Sequence, residues 1–148
     1  MWKEIKNEKD AAAFMSLVYD FHDSCIKEMK YVSGAYVDDD LSMYPLNDQR
    51  KLSVIIQRQD EENTVIELEF SKLKYLRLCP INEEYTCEIL DSRFFFKDGS
   101  ICWRDSGDGS DIENADGCNT VICAGEVRWR VLRGCLGGKV IYSDHNNE

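Results

Sequence analysis

The hydrophobic period of this chain changes once, between Phe21 and Ile26, and that change restricts the available folds more than any other feature. Before it, Phe14, Leu17, Val18 and Phe21 recur at i, i+3, i+4 and i+7, the spacing of one α-helical face. Asn7 stands ahead of the run with Asp10 three residues on, which reads as an N-cap followed by an acid at the positive end of the helix dipole. Ala11, Ala12 and Ala13 add helical propensity, so a helix is predicted over residues 8–20. His22, Asp23 and Ser24 compete with the backbone for hydrogen bonds and should end it.

Beyond the junction the period is two. Residues 25–36 predict a strand with a bend near Ser33 and Gly34, and the polar stretch 37–50 predicts a connection with a short strand at 41–44. Residues 52–58 and 64–70 flank a short polar link and predict a hairpin, with Ile66, Leu68 and Phe70 inward and Glu67 and Glu69 outward. A further short strand is expected at 72–78. Asp98-Gly99 between apolar runs signals a two-residue type I′ turn, which sets Phe94 opposite Trp103, Phe96 opposite Ile101 and Lys97 opposite Ser100. Residues 120–133 predict a last main strand with Val127, Trp129 and Val131 inward and Arg128 and Arg130 outward, and 139–142 an edge strand. Strands that follow strands through short links pair antiparallel. The expected fold is a single α+β domain over 1–148, an N-terminal helix packed on a largely antiparallel, strongly twisted sheet of about six to eight strands.

Twenty-eight acidic against eighteen basic residues give a net charge of −10, which opposes binding to nucleic acid or an anionic membrane and favours a basic protein partner. The first residues lack a secretory apolar core and no apolar run reaches membrane-spanning length, so a cytoplasmic location is expected. Seven irregularly spaced cysteines, several in apolar runs, predict reduced thiols.

Among residues able to do chemistry, His22 and Asp23 are the catalytic candidates, with His22 a general base or metal ligand served by Glu67 or Glu69. Adjacent residues cannot face one another as nucleophile, base and orienting acid, so His22, Asp23 and Ser24 do not form a hydrolytic triad, and a structural role at the helix exit competes. Asp105, Asp108 and Asp111 lie in an acidic stretch, 105–119, that reads as a mobile surface loop and offers oxygen ligands to a cation. Gly107 and Gly109 fall where an EF-hand needs side-chain ligands. Cys118, Cys123, Cys135 and His145 lack paired zinc spacing, and no glycine-rich phosphate loop is present, so no cofactor is expected. Asp38, Asp39 and Asp40 are candidates for binding a basic partner, while Arg128 and Arg130 should pair with acids across strands or bind an acidic partner.

Phe21-His22-Asp23-Ser24-Cys25-Ile26, followed by Ile66-Glu67-Leu68-Glu69-Phe70 and Leu73-Lys74-Tyr75-Leu76, resembles small bacterial families built as a helix, an "FHD-S/A" turn, a strand and then an antiparallel sheet with an "F-x-x-(L/V)" step. Some members of those families look like immunity proteins that neutralise toxins. The resemblance implies a binding role and carries over no catalytic residue. The expected function is therefore a non-enzymatic protein-binding module acting through an acidic surface. The alternatives are a hydrolase or metal-dependent enzyme centred on His22 and Asp23, and a homodimer, rather than a monomer, formed through the 94–103 hairpin.

Overall fold

The structure, a computed structural model, describes residues 1–80, 83–106 and 119–142. Strand β1 (Lys3–Ile5) leads into helix α1 (Glu8–Leu17). Asn7 Oδ1 accepts the Asp10 N–H at 2.9 Å, satisfying one of the donors a helix start leaves free, while Asp10 Oδ2 reaches back to accept the Lys6 N–H ahead of the cap at 3.0 Å. The helix buries Ala11, Phe14, Met15 and Val18, again at i, i+3, i+4 and i+7. Leu17, expected on that face, is instead exposed, and the helix ends there rather than at Asp20. The reason is a turn of opposite hand: Tyr19, Asp20 and Phe21 have φ of 51°, 53° and 57°. That turn redirects the chain and drops Phe21, fully buried, into the core.

The strands follow as β2 (Ser24–Val32), β3 (Tyr36–Val37), β4 (Met43–Tyr44), β5 (Lys51–Arg58), β6 (Val65–Arg77), β7 (Glu88–Ile89), β8 (Arg93–Lys97), β9 (Ser100–Arg104) and β10 (Val121–Val131). The main sheet has the order β7-β2-β5-β6-β10-β9-β8, and every described pairing is antiparallel. On its far edge β10 pairs with β9 through residues 121–124 and with β1 through residues 127–129. The sheet curls strongly, and α1 packs on its inner face, where Phe14 meets Trp129 at 4.7 Å and Phe94 at 6.1 Å between ring centroids. This is the expected α+β architecture.

Other expectations need correction, among them Val131, which is exposed rather than inward. Residues 72–78 do not form a separate strand: β6 runs on, with a register shift opposite Cys123 and Ala124 where Lys74 is the extra residue, because no turn-forming residue interrupts it and β10 lies alongside its length. Residues 139–142 are not a strand, since the Ile141 and Tyr142 N–H groups go to the Glu28 carboxylate. The cysteines are not all reduced. Cys102 and Cys123 are direct register partners on β9 and β10, with Cα atoms 4.1 Å apart, and form a disulfide; Cys79 is disulfide-bonded as well. Irregular spacing along the chain conceals a pairing that strand register creates. Among the described residues Cys25, Cys87 and Cys135 are free thiols, and no helix is long and apolar enough to cross a membrane.

Candidate functional site

Between β2 and β5 the chain leaves the sheet as an arm. The Ser33 carbonyl accepts the Gln49 and Arg50 N–H groups at 3.0 and 3.1 Å, closing the base of the arm. Gly34, at φ 99°, passes so near Asp48 that a side chain would collide with its carboxylate. Beyond that base, every residue from 35 to 49 is exposed. Tyr36 pairs with Tyr44 and Val37 with Met43, and the two tyrosine rings stack with centroids 4.8 Å apart. Asp38, Asp39 and Asp40 form the tip. Asp38 N–H donates to the Ser42 carbonyl and Leu41 N–H to the Asp38 carbonyl, at 2.9 and 2.8 Å, so the tip has a defined shape. The Ser42 N–H beside Asp40 holds its carboxyl below the ordinary carboxylate range, with the Ser42 hydroxyl helping.

The arm combines features that a polar connection does not have. Tyr36, Val37, Leu41, Met43, Tyr44 and Leu46 are all large, apolar and exposed. Residues 35–49 carry four aspartates and no lysine or arginine. A short two-stranded ribbon is only marginally stable by itself, and leaving this much apolar surface in water is unfavourable unless something covers it. Sequence reasoning picked out the three aspartates and missed the apolar flanks, because with only two residues in each strand there is no alternation to detect.

The basic stripe behaves as expected for cross-strand pairing. On the outer face of the sheet Arg128 reaches Glu69 at 2.7 Å and Arg130 reaches Glu67 at 2.6 Å, with Lys51 3.8 Å from Glu69. Both guanidiniums lie 4.4 Å from the Trp2 ring centre, one ring serving two cations. Glu67 and Glu69 are thus committed to the arginines. His22 Nδ1 lies 3.0 Å from Asp23 Oδ1, and the two side chains are 59% and 48% exposed, so the pair sits on open surface rather than in a cleft. The Ser24 hydroxyl donates to the His22 carbonyl, away from the imidazole. Among the described residues no group of three or more His, Cys, Asp or Glu side chains is placed to hold a metal ion. Burial pushes the Asp105 carboxyl above its ordinary range although Asp105 Oδ1 accepts the Thr120 N–H at 3.0 Å; Asp108 and Asp111 lie outside the described residues. The zinc set loses Cys123 to its disulfide.

A cleft of 550 Å³ opens where β10 passes from β9 to β1, lined by Glu4, Lys6, Lys51, Glu69, Glu126 and Arg128. Its charges are paired locally, Lys6 with Glu4, Arg128 with Glu69, and Glu126 with Lys72. Lys51 shares Glu69 with Arg128, at 3.8 Å.

After β10 the chain folds back over the outer face as a strap. Gln57 Nε2 donates to the Cys135 and Gly137 carbonyls at 2.9 and 3.1 Å, Lys27 Nζ to the Gly138 carbonyl at 3.3 Å, and the Tyr142 hydroxyl to Glu67 at 2.7 Å. Burial of the Tyr142 phenol, together with its bond to Glu67, raises its pKa far above the ordinary value. For the Glu28 carboxyl burial acts upward, but the Ile141 and Tyr142 N–H groups outweigh it and hold the group below its ordinary range. The sign follows: a carboxylate favoured by folding contributes stability above its unfolded pKa, and the contribution is lost as pH falls through the folded value. Hydrogen exchange at the Ile141 and Tyr142 amides should therefore lose protection in the wild type as pH falls below the ordinary carboxylate range. In Glu28→Gln protection should be low at neutral pH; a pH-independent profile in the wild type would remove Glu28 as the anchor.

No family model, curated protein or solved structure matches the chain.

Proposed function

We propose that the protein is a non-enzymatic binding module whose arm, residues 35–49, docks on a basic surface of another protein and blocks it, in the manner of an immunity protein. The observation that carries this reading is the union, on one exposed ribbon, of six large apolar side chains and an aspartate tip. The apolar residues supply contact area, and the carboxylates steer approach and select for positive charge. A net charge of −10 supports a protein partner over nucleic acid or an anionic membrane. The 94–103 hairpin is a weaker candidate for a homodimer contact, since Phe94 is engaged by Phe14. The Cys102–Cys123 disulfide between adjacent strands weighs against a reducing cytoplasm as the site of action, since disulfides persist in oxidising compartments.

The test begins with a partner isolated on the wild-type chain, then purified and titrated. Asp38→Asn/Asp39→Asn/Asp40→Asn should weaken binding at least about tenfold at low salt and flatten its salt dependence. Tyr36→Ala/Met43→Ala should weaken it comparably at all salt concentrations. Both variants should unfold at the wild-type denaturant midpoint, since the altered side chains are exposed. Wild-type affinity in both would remove the arm as the docking element.

A further inference from the structure

We propose that Cys25 and Cys135 are the two halves of a redox clasp that fastens the strap, residues 132–142, to the outer face of the sheet. The strap runs alongside β2 in a consistent order. Its Cys135 and Gly137 carbonyls meet Gln57, its Gly138 carbonyl meets Lys27, and its Ile141 and Tyr142 N–H groups meet Glu28. Gln57 is the register partner of Cys25, so the amide that holds the Cys135 carbonyl stands next to Cys25 across the β2–β5 pair. Directly opposed residues of an antiparallel pair share a face, and the neighbouring pair Ile26 and Ile56 faces the core. Cys25 and Gln57 therefore face outward, toward the strap.

Both thiols are free and neither is fully buried. Cys135 Sγ makes only a weak contact, 3.5 Å from the Arg133 carbonyl, which leaves it able to turn. The other free thiol among the described residues, Cys87, is not an equivalent partner. Its neighbour Glu88 pairs with Cys25, so Cys87 points to the opposite face, where it lines a 250 Å³ cavity together with Ile26.

The chemistry balances with a disulfide oxidant such as glutathione disulfide. One cysteine thiolate attacks a sulfur of the oxidant, forming a mixed disulfide and releasing one glutathione thiolate. The second cysteine thiolate then attacks the protein-bound sulfur, closing the Cys25–Cys135 bond and releasing the second glutathione. Two protein thiols lose their protons and two electrons, and the oxidant leaves as two thiols. In the reduced state the strap is held by hydrogen bonds; in the oxidised state its start is covalently tied to β2.

The full chain is equilibrated with glutathione disulfide, quenched with N-ethylmaleimide and mapped without reduction. The expected product is a peptide pair joined through Cys25 and Cys135, lost in Cys25→Ser and in Cys135→Ser and kept in Cys87→Ser. Retention of the Cys102–Cys123 link in each variant reports that the fold is intact. Oxidation should also raise amide protection at Ile141 and Tyr142 at least about tenfold, as expected when local opening is restricted. Stable glutathione adducts on Cys25 or Cys135 without the internal bond, a Cys25–Cys87 bond, or unchanged strap protection after bond formation would each overturn the clasp.

Discussion

Phe21→Ala is expected to lower the unfolding free energy by about 3–5 kcal/mol, the range for emptying a large aromatic site in a packed core. Phe21 is fully buried, 5.7 Å from the Phe14 ring and 6.2 Å from the Trp103 ring, in edge contacts with both. The loss should fall in the upper half of that range because the side chain also anchors the backbone. Three consecutive non-glycine residues in the left-handed region cost about 1–2 kcal/mol each, and such a turn persists only where its surroundings over-determine it. Here Phe21 holds one side. On the other the Asp20 carbonyl accepts the Ser92 hydroxyl at 3.1 Å, and Ser92 Oγ accepts the Trp103 indole N–H at 3.2 Å. Urea unfolding followed by tryptophan fluorescence measures the change. A loss below about 1 kcal/mol would mean that the turn does not depend on the core beneath it.

The second large effect is expected at Arg58. Its guanidinium is almost inaccessible, yet it reaches the Glu62 and Asn63 carbonyls, both at 2.9 Å, and Asp60 at 3.1 Å. One cation therefore folds the whole β5–β6 link around itself. Arg58→Ala would strip those groups of their donor and should cost about 3–5 kcal/mol, the penalty for removing one member of a buried ionic cluster. Arg58→Met separates packing from hydrogen bonding. Nearly full recovery in the methionine variant would show that the side chain acts as apolar filler, whereas the hydrogen-bond account requires most of the loss to remain. Asp60 is held below the ordinary carboxylate range, first by the Glu62 N–H and then by Arg58, against the upward push of burial. Its contribution is present above the unfolded carboxylate pKa and disappears as pH falls through the folded one. The difference between wild type and Arg58→Ala should accordingly narrow in acid.

Local chemistry was legible where a few residues dictate geometry by themselves. Asp98 and Gly99 both adopt positive φ, 51° and 72°, and the pairings of Phe94 with Trp103 and Phe96 with Ile101 follow from that turn. The Asn7 cap and the paired outward arginines were equally readable. Long-range pairings were not. Cys102 and Cys123 stand 21 residues apart, and only the register of β9 on β10 brings them together. Glu28 finds its partners 113 and 114 residues away, and they are backbone N–H groups that no side-chain pattern advertises. Of the candidate site, the Asp38, Asp39 and Asp40 tip was visible as charge. The stacked tyrosines and the exposure of Met43 and Leu46 depend on the ribbon standing clear of the sheet, a tertiary fact.

The arm has one further consequence. Residues 35–49 are exposed throughout, while the core lies under α1, β5, β6, β9 and β10, so the stretch proposed to dock on a partner and the stretches that keep the chain folded are separate. If the arm is the docking element proposed above, changes at its exposed apolar side chains should alter binding while the sheet beneath stays the same.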